Sequence, residues 1–387
     1  MQKNDFGKLI KTTDWLLVAL VLALCLLGLV TIANATCDPY AENGVTGLAG
    51  IAARINPYYV LRQLVWIGTG LVLGIAFAAI DYRIWRPLIW YAYGFGVLLL
   101  IIVLFMPAGR GNVKNAIYIT ETLSFQPGEL AKIPYILTMA ALLGARTTPV
   151  KHVRELLIYL AVTALPVGLI IAEGEVGTAL VFMCIFVGMM FLSGTDWKLL
   201  LGMGLVAAVS AIPVWFLLSE YQRNRILDFL DPSRNLDSSG YNVLYAKTAT
   251  GTGRVWGKGL FREGALSQLD YVPEKHTDFI FSVTAEAVGL VGCLIIVGVL
   301  LMLLVRMLRI ARTASDSFGS LICVGVAAMM FFHIAENICM NIGLLPVTGI
   351  PLPFLSYGGS PMWANMMGVG LALSVSMRRR MTRIRRF

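Results

Sequence analysis

Charge is scarce in this chain. Only 14% of its 387 residues are Asp, Glu, Lys or Arg, while 58% are apolar; soluble domains carry about 25% charged residues. That shortage excludes a globular protein of several water-facing domains. Apolar runs of about 18 residues or more recur along the whole length, the mark of a polytopic membrane protein. A cleavage site is also missing after the first run, Trp15 to Ile32, which is too long for a removable signal and is predicted to be the first transmembrane helix. No internal repeat stands out, which argues against the inverted-repeat transporter folds. Disulfides are not expected: Cys25, Cys184, Cys293 and Cys323 fall inside apolar runs and pack as small hydrophobes, and only Cys37 and Cys339 could meet near the outer surface.

What charge there is has a sign and a place. The net charge is +9, but the basic residues sit in short inter-span segments and at the C-terminus, so nucleic acid is not an expected partner. We read an all-α fold of ten spans, near 14–34, 59–80, 88–106, 127–144, 155–172, 176–193, 198–218, 278–305, 319–341 and 361–377, each close to the ~20 residues that cross the hydrocarbon. Lys3, Lys8 and Lys11, then Arg83 and Arg86, Arg146, Lys151 and Arg154, Lys198, Arg306, Arg309 and Arg312, and the tail from Arg378 to Arg386 all fall on one side. The positive-inside rule makes that side cytoplasmic, with both termini inside.

Residues 219–277 then form a large extracytoplasmic loop between the seventh and eighth helices, with eight basic and seven acidic residues between Glu220 and Lys275. Two further outer segments, 107–126 and 342–360, are polar or rich in Pro and Gly. The second, containing Pro351, Pro353, Ser356, Tyr357, Gly358 and Gly359, is too apolar for a solvated loop and too broken for a helix. Irregular backbone at membrane depth is tolerated where it is buried in protein or lines a wet cavity. The three segments are therefore expected to converge on one outward-open cavity.

Ionisable residues near spans mark the candidate site, because charge there is costly. Pro127 suits the first helical position of the fourth span, which places Glu129 in the first turn and Lys132 on the same face. The two can be a self-neutralising pair at a helix entrance, or Lys132 can present charge to an anionic ligand. Asp278 ends the large loop; it or Thr277 can cap the eighth span, or Asp278 can be reactive. His276 beside it titrates near neutral pH. Glu286 and Glu336 lie deeper and need partners or water, whereas Glu173 and Glu175 flank a tight turn at Gly174. Arg223 and Arg225 open the loop; Arg suits pyrophosphate through its planar fork, and also suits lipid head groups.

Taken in order, these segments resemble the SEDS family (RodA, FtsW, SpoVE). Arg225-Ile226-Leu227-Asp228-Phe229-Leu230-Asp231-Pro232, Gly257-Lys258-Gly259 and His276-Thr277-Asp278-Phe279-Ile280-Phe281 follow the family's large-loop pattern. Asn341-Ile342-Gly343-Leu344-Leu345-Pro346-Val347-Thr348-Gly349-Ile350-Pro351-Leu352-Pro353-Phe354-Leu355-Ser356-Tyr357-Gly358-Gly359-Ser360 is a near-complete copy of its most specific signature. Gln126-Pro127-Gly128-Glu129-Leu130-Ala131-Lys132 resembles a third motif. The Asp14-Trp15-Leu16-Leu17 start and short basic tail resemble RodA-type members more than FtsW-type ones.

The resemblance implies a peptidoglycan glycosyltransferase in the bacterial cytoplasmic membrane, a single membrane domain over 1–387, with lipid II as donor and acceptor. It implies Asp278 as the catalytic carboxylate. Glu129, Lys132, Arg223, Arg225, His276, Ser356 and Tyr357 become substrate-binding candidates, and Glu175, Glu286, Pro351, Pro353, Gly358 and Gly359 supporting ones. A class B penicillin-binding protein and membrane lipids are the implied partners. No tightly bound cofactor is expected beyond a divalent cation (Mg or Mn), for which no ligand is assigned. The chain departs from the family at Gly174-Glu175-Val176, at Ala287 after Glu286, at Ser360-Pro361 and at Lys114-Asn115-Ala116-Ile117. A lipid-linked precursor transporter and a non-catalytic scaffold are the competing readings.

Overall fold

The computed structural model describes residues 11–38, 48–106, 114–120, 123–235, 239–269 and 271–384. Lys3, Lys8, Arg385 and Arg386 of the orientation argument, and much of the 107–126 segment, lie outside the described residues. The chain is a multi-pass helical membrane protein. Its longer helices in order are α1 (Trp15–Ala35), α3 (Pro57–Ala79), α4 (Ile89–Leu104), α5 (Pro127–Gly144), α6 (Val153–Glu173), α7 (Val176–Leu192), α8 (Trp197–Leu217), α11 (Ile280–Arg312), α12 (Ser317–Asn341) and α13 (Gly359–Ile384). Each predicted span is therefore occupied by a helix. Among the described residues, six helical stretches are long and apolar enough to cross a membrane. Outside them lie α2 (Leu48–Arg54), α9 (Glu220–Leu230), α10 (Ser239–Thr252) and one hairpin, Ile117–Thr120 with Leu123–Phe125.

Local chemistry sets the helix ends. Asp14 caps α1 by accepting from the Leu17 N–H at 3.2 Å, and the same carboxylate holds Arg306 of α11 at 2.8 Å. Gly174 closes α6 in the left-handed conformation, φ 94°, which a glycine adopts without strain. Ser219 and Gln222 form a reciprocal capping box at the start of α9. The large loop is thus partly helical, where sequence periodicity suggested only a polar excursion.

α12 is the central helix, packed by α5, α7, α11 and α13. α3 and α13 approach closely because Gly70 and Gly74 face Met366 and Gly370 lies against the Gly74 carbonyl, a small-residue crossing of the kind bilayers favour. α8 stands nearly alone and exposes Leu201, Leu205, Val209, Ile212 and Phe216, an apolar face for lipid. All described cysteines are free.

The eighth predicted span needs correction. It begins at Ile280 with Phe279 as cap residue and no side-chain cap bond, so neither Thr277 nor Asp278 caps it. It is also broken at Gly289, φ 68° and ψ −170°. The backbone groups freed there are taken up by the large loop. Lys258 and Gly259 donate to the Glu286 and Ala287 carbonyls at 2.9 Å, and Leu290 and Val291 donate to the Arg254 and Val255 carbonyls at 2.9 and 3.1 Å. Broken helices persist in membranes only when such partners exist.

Candidate active site

Asp278 is fixed from behind. Its backbone carbonyl accepts from Asn337 Nδ2 at 2.9 Å and Asn341 Nδ2 at 3.1 Å, both on α12. Asn337 also donates to the Ile350 carbonyl at 2.8 Å, and the Asn341 Oδ1 accepts from the Ser282 backbone at 3.0 Å. One helix face therefore ties the end of the large loop to the signature segment, while the Asp278 side chain is left out of the scaffold bonds.

That side chain faces Gly349. A Cβ placed on Gly349 would lie 3.3 Å from Asp278 Oδ2 and 3.9 Å from Arg225 Nη1, so carboxylate and guanidinium flank the same glycine. Arg225 also donates to the Thr348 carbonyl at 3.1 Å. Gly349 has φ +80°, so a side chain there meets both backbone strain and the Asp278 carboxylate. Asp278 lies just before α11, and burial pushes its carboxyl up to about 6; Glu274 adds to this and Arg225 opposes it.

The other predicted residues divide into two groups. Those brought towards Asp278 include His276, whose ring lies 4.7 Å from Tyr59 and 5.4 Å from Tyr357, while its carbonyl accepts from the Tyr357 N–H at 2.9 Å. Burial lowers the His276 pKa, which favours the neutral ring. Ser356 donates to the Thr277 carbonyl at 2.7 Å and accepts from the Leu352 N–H at 2.8 Å. It pins the signature segment onto the Asp278 loop. Gln63 of α3 bridges the Ser356 carbonyl and the Gly358 N–H. Gly359 packs its backbone on the Trp66 ring. Pro351 and Pro353 hold this stretch out of helix, consistent with the missing donor of proline.

Lys132 and Glu129 form a buried ion pair at 2.6 Å, and Lys132 Nζ also lies 2.9 Å from His333 Nε2. The two charges neutralise each other, as the self-neutralising reading expects, with Lys132 fully buried. Glu175 accepts from Asn115 and from Thr178 Oγ1, the latter at 2.9 Å. Burial raises its pKa. Glu336 accepts from Thr348 Oγ1, and its second oxygen is buried without a hydrogen-bond partner.

Two candidates are placed elsewhere. Arg223 turns back on the end of α8, donating to the Leu218 carbonyl at 3.1 Å, as basic groups do at helix C-termini. Glu286 accepts from Lys258 Nζ at 2.6 Å and from the Leu266 and Ser267 backbones at 2.9 and 3.0 Å. It anchors the loop. A space of about 1180 Å³ opens within the large loop, lined by Arg254, Trp256, Lys258 and Arg262 among others, and Asp278 is not part of its lining. Sequence reasoning missed His333, Asn337 and Asn341. Their spacing of four puts three polar side chains on one face of an apolar helix, which was the available signal.

A helical membrane protein with a rigidly mounted carboxylate beside an arginine, walled by an irregular Pro-Gly segment, is the class that this geometry defines. The chain belongs to the FtsW, RodA and SpoVE family of cell cycle proteins, whose sequence pattern matches residues 14–381. Peptidoglycan glycosyltransferase MrdB of Escherichia coli K12 is 35% identical over 322 residues, covering 83% of this chain and 86% of the relative. A probable peptidoglycan glycosyltransferase FtsW of Trichlorobacter lovleyi is 32% identical over 370 residues, covering 94% and 93%. Among solved structures, a chain of a peptidoglycan synthase complex that coordinates polymerization and crosslinking superposes with TM-score 0.77 at 31% identity, covering 95% of this chain and 98% of that one. Rod shape determining protein RodA of Thermus thermophilus superposes with TM-score 0.68 at 28% identity, covering 95% and 97%.

Proposed function

We propose that this chain is a peptidoglycan glycosyltransferase that extends glycan strands from lipid II at the outer face of the bacterial cytoplasmic membrane, with Asp278 as general base. The observation that carries the assignment is the mounting of Asp278: backbone clamped by Asn337 and Asn341, carboxylate facing Arg225 across Gly349. Glycosyl transfer is also the activity in the names of relatives that match most of the chain.

The acceptor sugar hydroxyl gives its proton to Asp278 as its oxygen bonds to the anomeric carbon of the donor. The bond from that carbon to the lipid pyrophosphate breaks, and the departing oxygens carry the charge away. Arg225 is the cation nearest the carboxylate in this arrangement, and Lys132 stands further along the same wall; positive charge placed where negative charge develops is the effective kind. No group of three His, Cys, Asp or Glu is preassembled for a metal among the described residues. A divalent cation would ride largely on pyrophosphate oxygens, with the unpartnered Glu336 oxygen as its protein ligand, and would neutralise the leaving group.

The topology that supports this reading has ten crossings in a single domain, both termini cytoplasmic and residues 219–277 outside. The described basic clusters all favour it. A class B penicillin-binding protein is the fitting partner, since strands must be crosslinked as they grow.

Purified full-length chain, with and without such a transpeptidase, should convert lipid II into glycan strands resolved by electrophoresis. Transbilayer movement of lipid II without polymerisation would replace the assignment with a transporter. Initial rates should rise with pH through about 6, because Asp278 accepts a proton only when ionised and burial raises its carboxyl to about that value. Arg225→Gln should move this acidic limb to higher pH, because Arg225 lowers the Asp278 pKa. A limb near pH 4, or one that Arg225→Gln leaves in place, would remove Asp278 from the base role.

A further inference from the structure

The buried contact of Lys132 with α12 has a direction. His333 Nδ1 lies 3.2 Å from the Pro351 carbonyl oxygen, and its Nε2 lies 2.9 Å from Lys132 Nζ. A carbonyl oxygen can only accept, so Nδ1 carries the proton. Nε2 then presents a lone pair, and Lys132 donates to it. Lys132 donates a second hydrogen to Glu129 Oε1 at 2.6 Å. Lys132 has no solvent exposure and His333 has 1%, so water does not compete for these bonds.

We propose that His333 is a positioning residue for glycosyl transfer: through its Nδ1-protonated tautomer it fixes the Lys132 ammonium at a set distance from Asp278. This rests on the polymerase reading above. The link is continuous on one face of α12. His333 holds Lys132 and Pro351, Asn337 four residues on holds Ile350 and Asp278, and Asn341 holds Asp278 again. Three chain segments that share no sequence neighbourhood are thereby referenced to a single rigid helix. Glu129 alone would neutralise Lys132 but would leave the ammonium free to swing about the carboxylate. The His333 lone pair restricts that freedom, because the ammonium must satisfy two acceptors on different helices at once.

The two ring nitrogens separate a positioning role from a merely structural one. Gln at 333 reaches the Nε2 position with an amide oxygen and keeps the acceptor for Lys132. Asn reaches only the Nδ1 position and keeps the donor to Pro351. Leu keeps neither. Lipid II polymerisation by full-length wild type and the three variants should be compared at equal folded fraction, set by thermal unfolding.

His333→Gln should stay within about threefold of wild type. His333→Asn and His333→Leu should each lose roughly 10- to 100-fold in kcat, with KM for lipid II within about twofold, the scale expected when a catalytic group is displaced by an ångström. If His333→Asn polymerises as well as His333→Gln, the acceptor for Lys132 is dispensable and the proposal falls. If His333→Leu polymerises like wild type, it falls as well. Failure of wild type to polymerise would instead strike the functional reading.

Discussion

Asp278→Asn is expected to give a folded protein that builds no glycan. Asn has the shape of Asp, and what mounts this residue is its backbone carbonyl, bonded to Asn337 and Asn341. Those bonds survive the substitution. The variant loses the one thing an amide lacks, a basic oxygen for the acceptor proton. General-base catalysis contributes about 10²- to 10⁴-fold, so residual rates should drop by at least two orders of magnitude. The melting temperature should hold or rise, since burial disfavours the charged carboxylate that is removed. Electrophoresis of lipid II products, together with a thermal scan, reads both outcomes. Strand growth within tenfold of wild type would mean that another group accepts the proton.

The second large effect is on stability. Glu286→Ala removes a carboxylate, itself 1% exposed, that accepts from Lys258, the backbones of Leu266 and Ser267, and Thr252. Two backbone N–H groups, one of them fully buried, lose their acceptor, and Lys258 loses its partner. Breaking such a pair from one side costs about 3–5 kcal/mol when both charges are buried. Lys258 is partly exposed, so about 3 kcal/mol is expected here, most of it from the stranded backbone donors. Limited proteolysis should cut between residues 252 and 279 in the variant and spare the wild type. Glu286→Gln, which retains one acceptor oxygen, should fall between them. A variant as protease-resistant and as heat-stable as wild type would show that the loop is held by other contacts.

Much of this could be read in the sequence because the bilayer imposes length and composition on every helix that crosses it. The ten apolar runs and the broken Pro-Gly stretch followed from that constraint alone. The break at Gly289 did not, because a single glycine in an apolar run looks the same whether the helix continues or parts; only the strand-like approach of residues 254–259 distinguishes the two. The different settings of Arg223 and Arg225 were hidden for a similar reason. An arginine two residues from Arg225 has the same chemistry on paper, but one points at Thr348 and the other at the carbonyl end of α8. The polar face of α12 was written in the sequence at a spacing of four, yet nothing in the spacing says which carbonyls it holds.

The parting of α11 at Gly289 has a mechanical meaning. Gly253 and Gly257 lie so close to the Ala285 and Ala287 carbonyls that no side chain fits between them, and four backbone hydrogen bonds join the two stretches. The large loop is therefore fastened to α11 through backbone on both sides of the break.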